Sequence, residues 1–176
     1  MQLSIAKRRG LTLLAATTLI LFGAAGVVET RSDIATLLSG LYQRYAWVAV
    51  FSVNSPAGKV PLARATREEL SGIFVSDLAL AIWNDAQCAE KRGEICVLDF
   101  DVLFDSQDPS ARDLAIEPSK QSAEARVCFK DVTDMQRCLT FIGAATDGII
   151  KIADIRYTGG RSLRQMLRLP AIRSAR

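Results

Sequence analysis

Residues 125–157 decide the fold: Ala125-Arg-Val-Cys-Phe-Lys130, Asp131-Val-Thr-Asp-Met135, Gln136-Arg-Cys-Leu-Thr-Phe-Ile-Gly-Ala-Ala145, Thr146-Asp-Gly148, Ile149-Ile-Lys-Ile-Ala-Asp-Ile-Arg-Tyr157. Polar and apolar residues alternate over 125–132 and again over 135–145, the period of a half-buried strand. Asp147-Gly148 is a two-residue hairpin turn, and 149–157 is its return strand. If Cys128 lies opposite Cys138, Arg126 pairs with Thr140 and Lys130 with Gln136 on a polar face. Val127, Phe129, Leu139 and Phe141 then share the apolar face. Carried unbroken through the Asp147-Gly148 turn, this register sets Phe141 opposite Asp154 and Leu139 opposite Arg156. Both charged residues would then project to the apolar side. Thr140, Ile142, Ile149, Ala153, Ile155 and Tyr157 would form an outer face that a second copy could cover.

Upstream the period changes. Ile34, Leu37, Leu38, Leu41, Tyr42 and Tyr45 recur at helical spacing, so 32–46 reads as a helix capped by Ser32 or Asp33. Residues 54–58 (Asn-Ser-Pro-Ala-Gly) break regular structure. Thr66-Arg-Glu-Glu69 is a capping box that opens a second helix, with Leu70, Ile73 and Phe74 inward. Ser76 or Asp77 restarts a helix through Trp83. From Asn84 to Pro118 the chain reads as irregular, apart from a short apolar piece at 95–100. Gly159-Gly160 ends the last strand, and 162–169 reads as a final helix stopped by Pro170. Helices first and a strand meander afterwards indicate an α+β domain.

The four cysteines, Cys88, Cys96, Cys128 and Cys138, allow three pairings. Proximity favours Cys88–Cys96 and Cys128–Cys138. Zinc is the competing use, but no pair has the short C-x2-C spacing and histidine is absent. At the front, Lys7-Arg-Arg9 precedes a charge-free run of about 19 residues, 10–28, whose apolar core, Leu11 to Phe22, ends in Gly23-Ala-Ala-Gly26, the three-part layout of a secretory signal. Cleavage near Gly26 would leave residues 27–176 as one exported domain. An uncleaved inner-membrane anchor is the alternative, and this segment is the one expected membrane contact.

The chain has 176 residues, 22 Lys+Arg and 19 Asp+Glu. The three cations of the leader carry the whole excess, so the pI of 8.8 gives no support to nucleic-acid binding. Charge is segregated instead. Residues 85–117 hold nine acids and three bases, whereas 151–176 hold seven bases and one acid. Arg161, Arg164, Arg168, Arg173 and Arg176 read as a basic tail with a solvated face, or as a partner for the acidic segment. The absence of histidine excludes Ser-His-Asp and Cys-His nucleophile systems. Asp99, Asp101, Asp105 and Asp108 lack the calcium-loop spacing, so neither a metal nor another cofactor is expected.

Four stretches fall in one order: Leu41-Tyr-Gln-Arg-Tyr45, Leu70 to Leu78, Leu98-Asp-Phe-Asp-Val-Leu-Phe-Asp-Ser-Gln-Asp-Pro109, and Asp147 to Tyr157 followed by Leu163 to Leu167. This order resembles bacterial exported proteins of domain-of-unknown-function family 3828. These in turn resemble the nuclear transport factor 2-like (cystatin-like, α+β cone) superfamily. Ile150 is a departure, since the family often carries Trp before the Lys-Ile pair. The resemblance implies N-terminal helices packed on a curved antiparallel sheet, a short C-terminal helix and an exported location. It implies no activity. It also implies a cavity between sheet and helices, which the register above would line with Tyr42, Tyr45, Trp83, Phe129, Phe141, Asp154 and Arg156. Such a pocket suits a small ligand. An enzyme would use Asp154 as a base with a tyrosine as proton donor, by analogy with isomerases of the superfamily. The bland alternative is a paired Asp154 and Arg156 in a filled core. The expectation is a non-enzymatic exported domain that binds a protein partner or a small ligand. An isomerase, lyase or hydrolase, or a tethered envelope scaffold, stand as alternatives.

Overall fold

Asp33 starts the first helix, its Oδ1 accepting from the Thr36 N–H at 2.7 Å. The computed structural model describes residues 33–50, 59–120 and 123–172, all within the second of the chain's two units, Arg31–Arg176. The expected signal segment (1–26), the break at 54–58, Arg173 and Arg176 lie outside the described residues. Helix α1 spans Ile34–Tyr45 and buries Ile34, Leu38, Leu41, Tyr42 and Tyr45 of the expected apolar stripe, with Leu37 partly buried beside them. A single turn, α2 (Trp47–Val50), follows, and a 3₁₀ turn covers Leu62–Arg64. Helix α3 (Arg67–Ile73) opens on the capping box. The Glu69 N–H donates to Thr66 Oγ1 at 3.2 Å, and the Thr66 N–H donates to Glu69 Oε2 at 2.9 Å.

Phe74 and Val75 leave α3 extended and bridge to Ile152, with the Val75 N–H donating to the Ile152 carbonyl at 2.9 Å. Helix α4 (Ser76–Arg92) then begins. It runs about two turns past Trp83, where the sequence had read as irregular. No bulky apolar residue marks those turns. Ala, Gln, Glu, Lys and Arg build them by propensity, and Gly93 at φ +69 closes them in the left-handed cap that glycine tolerates. Just before that cap, Cys88 bonds Cys96, their Cα atoms 6.1 Å apart.

The sheet is a four-stranded antiparallel meander, β1 (Arg112–Pro118), β2 (Glu124–Lys130), β3 (Gln136–Thr146) and β4 (Ile149–Arg156), in that spatial order. Strand β1 is a correction to the irregular reading of 84–118. All of it but Ile116 is exposed, so no alternation betrays it. It is an edge strand guarded by charge, a register break and Pro118. Between β2 and β3 the register is the expected one: Arg126 faces Thr140, Lys130 faces Gln136, and Cys128 faces and bonds Cys138. Asp131 organises the intervening turn, its Oδ1 taking the Thr133 and Met135 N–H groups and its Oδ2 the Arg137 Nε.

The β3–β4 register departs from expectation. Pairing holds from Thr146↔Ile149 to Gly143↔Ile152, then slips by one residue to Ile142↔Asp154, Phe141↔Ile155 and Thr140↔Arg156. This bulge exchanges faces. Ile155 and Tyr157 turn into the core, so they are not part of the outer face assigned to them, and Ala153 is buried as well. Asp154 and Arg156 move to the opposite side from Phe141. The outer face proper carries Arg126, Thr140, Arg156 and the Cys128–Cys138 bridge. Asp147 (φ +51) and Gly148 (φ +77) form the turn with both φ values positive, as a two-residue hairpin requires.

The core joins α1, α3 and α4 to one sheet face through Leu38, Phe74, Leu78, Leu103, Phe104, Phe141, Ile152 and Leu163. Gly143 sits where α1 meets the sheet. A Cβ there would stand 3.0 Å from the Ile150 side chain and 3.1 Å from Ile34 Cδ1. Gly143→Ala is therefore expected to cost about 1–3 kcal/mol through overpacking, read as a lowered denaturation midpoint. An unchanged midpoint would show that both isoleucines yield freely. Helix α5 is one turn, Leu163–Met166, shorter than the 162–169 expected, and Arg168 at φ +56 lies beyond its end.

Candidate functional site

Asp154, the weak catalytic candidate, is 7% exposed and fully engaged. Its Oδ2 accepts from Ser162 Oγ at 2.5 Å, and its Oδ1 from the Ile155 N–H at 2.9 Å and the Arg164 N–H at 3.1 Å. Beside it lies Arg164, also buried. Its guanidinium forks onto Asp77 (Nη2–Oδ2 2.5 Å, Nη1–Oδ1 3.2 Å) and donates to the Pro170 and Ala153 carbonyls. Hydrogen bonding from Arg164 holds the Asp77 carboxyl below the usual carboxylate range. The cluster clamps α5 to β4 and to the first turn of α4. Arg156 is exposed on the outer face, so it is neither the partner of Asp154 nor a pocket residue.

The basic tail is likewise divided. Arg164 is buried, and Arg161 pairs with Asp105 at 2.6 Å while lying over the rings of Phe100 and Tyr157. The acidic and basic segments thus meet at Asp105–Arg161, and among the described tail arginines Arg161 and Arg168 are exposed while Arg164 is not.

Most of the expected pocket aromatics fill the core. Tyr42 packs edge-to-face on Phe104 and Phe141 (centroids 5.6 and 6.1 Å), and Phe104 on Phe129 (5.4 Å). Tyr45 is buried under Arg44. Trp83 alone of the seven lines the cavity found here. This cavity, about 730 Å³, lies between the 3₁₀ turn, α4 and residues 98–102. Arg64, Trp83, Glu90, Leu98, Phe100 and Asp101 represent its three walls.

Short-range chemistry builds the third wall. Asp85 on α4 accepts from the Val97 and Leu98 N–H groups at 2.9 and 3.0 Å. Together with the Cys88–Cys96 bridge this holds 95–98 against the helix. The chain then turns inward at Asp101, whose Oδ1 accepts from the Leu103 N–H at 2.8 Å and whose backbone bridges to Ser106. Val102, Leu103 and Phe104 plug the core. Tyr157 and Tyr42 donate their hydroxyls to the Val102 and Leu103 carbonyls at 3.2 and 2.7 Å.

Compared with known proteins, the chain matches no family model, no curated protein and no solved structure. The cavity's own chemistry therefore carries the functional argument.

Asp101 is the residue that sequence reasoning missed in this role. It stood among four acids weighed for calcium. In the structure three of them accept from separate donors: Asp99 from Gln107, Asp105 from Arg161 and Asp101 from Leu103. The available signal was its setting, one acid inside the apolar run Phe100 to Phe104. Burial raises the Asp101 carboxyl to about 6, against a smaller opposing pull from the Leu103 N–H. Burial also raises both Tyr42 and Tyr157.

The consequence for stability follows from linkage. The folded-state pKa lies above the unfolded value of 3.8, so the associated stability is complete below pH 4 and is lost as pH rises through about 6. Asp101→Asn is expected to raise the melting temperature at pH 7.5 and to leave it nearly unchanged at pH 4. Equal shifts at both values would show that the carboxylate is not strained by burial.

Proposed function

We propose that the protein is an exported, non-enzymatic binding domain that seats a small ligand in the cavity between α4, the 3₁₀ turn and residues 98–102. The observation that carries this reading is the cavity itself. Its volume falls within the range of small-molecule sites, and its lining mixes apolar, aromatic and a few charged side chains. The order of helices followed by a sheet meander supports the further reading of a nuclear transport factor 2-like cone of domain-of-unknown-function family 3828. Two disulfides are the mark of an oxidising compartment. No helix among the described residues is long and apolar enough to cross a membrane. These features support export through a cleaved leader, for which N-terminal sequencing should give a chain starting near Gly26.

The isomerase-type alternative loses its support at Asp154, whose oxygens are occupied by three donors and which the bulge carries away from the core aromatics. Of the tyrosines, Tyr42 and Tyr157 donate their hydroxyls to backbone carbonyls.

The test uses the full chain, produced in a bacterium and recovered with both bridges intact. Native mass spectrometry should show a small-molecule adduct of discrete mass. Ala86→Trp and Ala63→Trp, which fill the cavity from facing walls, should each abolish it. An adduct that survives both substitutions, or none in the parent protein, would overturn the reading.

A further inference from the structure

The cavity wall holds an uneven set of charges. Asp85, Glu90 and Asp101 line it against a single cation, Arg64, and Arg64 is exposed at the rim. The acids are not equivalent. Asp85 is satisfied by two backbone N–H groups, and Glu90 is exposed on α4 beside Gln87. Asp101 is half-buried. It makes one hydrogen bond, through Oδ1, and no ion pair within 4.0 Å among the described residues. Its Oδ2 keeps its acceptor capacity. Two aromatic rings, Trp83 and Phe100, lie in the same lining. Phe100 is held in place by edge-to-face contact with Tyr157, centroids 5.4 Å apart.

A half-buried carboxylate with no ion-pair partner among the described residues, in a cavity whose lining also holds aromatic rings, is an arrangement that recognises a positive nitrogen on an apolar body. The carboxylate supplies the charge partner and the Trp83 ring its negative face, while Phe100, which already carries Arg161 over its ring, supplies apolar surface. We propose that the ligand is a small organic cation, an aryl or alkyl amine, whose ammonium pairs with Asp101 while its apolar part lies against Trp83 and Phe100. This rests on the proposed binding function and names the ligand class of the same site. Arg64 at the rim disfavours a second positive charge at the mouth, so a monocation fits better than a polyamine.

Three probes of one skeleton test it: phenethylamine, phenethyl alcohol and phenylacetate, titrated calorimetrically into the full chain. The amine should bind at least about tenfold tighter than the alcohol, a difference of about 1.4 kcal/mol, and phenylacetate weakest. Asp101→Asn keeps the acceptor for the Leu103 N–H and so keeps the turn. It should reduce amine binding to the level of the alcohol.

Between pH 7.5 and 5 the parent protein should lose amine affinity as Asp101 takes up a proton, and the variant should not. Two tyrosines among the groups facing Asp101 are moved further from that window. Tyr42 from α1 and Tyr157 just past β4 are raised by burial, and Arg64 and Arg161 are the same in both proteins. Asp85, Glu90 and Asp105 are present in both proteins, so any contribution from them cancels in the comparison.

If amine and alcohol bind equally and Ala86→Trp removes both, the charge inference fails and the binding function stands. If the acid binds tightest, or Asp101→Asn leaves amine binding unchanged, the inference fails. If none of the probes binds, the inference fails, and the adduct experiment alone then decides the binding function.

Discussion

Asp154→Ala is expected to destabilise the fold by about 3–5 kcal/mol, the cost of breaking a buried charged network by removing one member. The carboxylate accepts three donors in a space closed to water: the Ser162 hydroxyl and the Ile155 and Arg164 N–H groups. Alanine leaves all three without an acceptor, at about 1–3 kcal/mol for each buried group left unsatisfied, and not additively. The buried Arg164 guanidinium keeps its own carboxylate partner, Asp77, which is half exposed. Asp154→Asn keeps an oxygen for the two N–H groups, and the Ser162 hydroxyl can rotate to accept from the new amide. Its cost should be nearer 1–2 kcal/mol. Urea denaturation followed by far-ultraviolet circular dichroism would give both values from the midpoint shift at constant slope. The alanine variant matching the parent would mean that the clamp between α5 and β4 is ornamental. The pair of results also separates roles, since a catalytic carboxylate can be replaced with little loss of stability.

The history of this residue shows what the sequence could reveal. Alternation, the Asp147-Gly148 turn and the cysteine spacing led to the β2–β3 register, both bridges, the capping box at Thr66 and the buried stripe of α1. These are local signals, and local structure follows them. The face of Asp154 was not legible, because it depends on one extra residue at Ala153. Nothing in the residue types Ile152-Ala-Asp-Ile-Arg156 distinguishes a bulged strand from a straight one. The bulge is selected by long-range packing: Ile155 and Tyr157 bury only if the register slips. The same holds for Arg164, which looked like one of a solvated row and is instead buried by contacts with Asp77 and Pro170, both distant from the row's periodicity. The cavity was legible in even smaller part. Trp83 was placed with the pocket, but its partners come from a 3₁₀ turn and a segment rich in carboxylates, where neither helical nor strand period exists. What organises that segment is a set of single contacts: the Asp85 carboxylate, the Cys88–Cys96 bridge and two tyrosine hydroxyls.

Phe104→Ala should be the other severe substitution, again about 3–5 kcal/mol, through the loss of buried ring area and the cavity left behind. The ring is fully buried and packs edge-to-face on Tyr42 from α1 and on Phe129 from β2. It therefore joins the helical layer to the sheet through a stretch with no regular structure of its own. Removing it withdraws one partner from each aromatic pair, geometries worth about 0.5–1.5 kcal/mol beyond area alone. Phe104→Leu retains most of the volume and should cost about half as much. Because Leu103 and Val102 are tethered by Tyr42 and Tyr157, the turn should loosen without detaching, and the damage should reach Asp101 three residues away. Hydrogen exchange of the Leu103 amide, which Asp101 protects, should accelerate more than that of Cys138 or Leu139 in the sheet. A local loss of protection at 101–106 with the sheet unaffected makes the plug the support of the cavity wall. Uniform acceleration across both would mean that Phe104 acts only through global stability, and that Asp101 is positioned by something other than the turn beneath it.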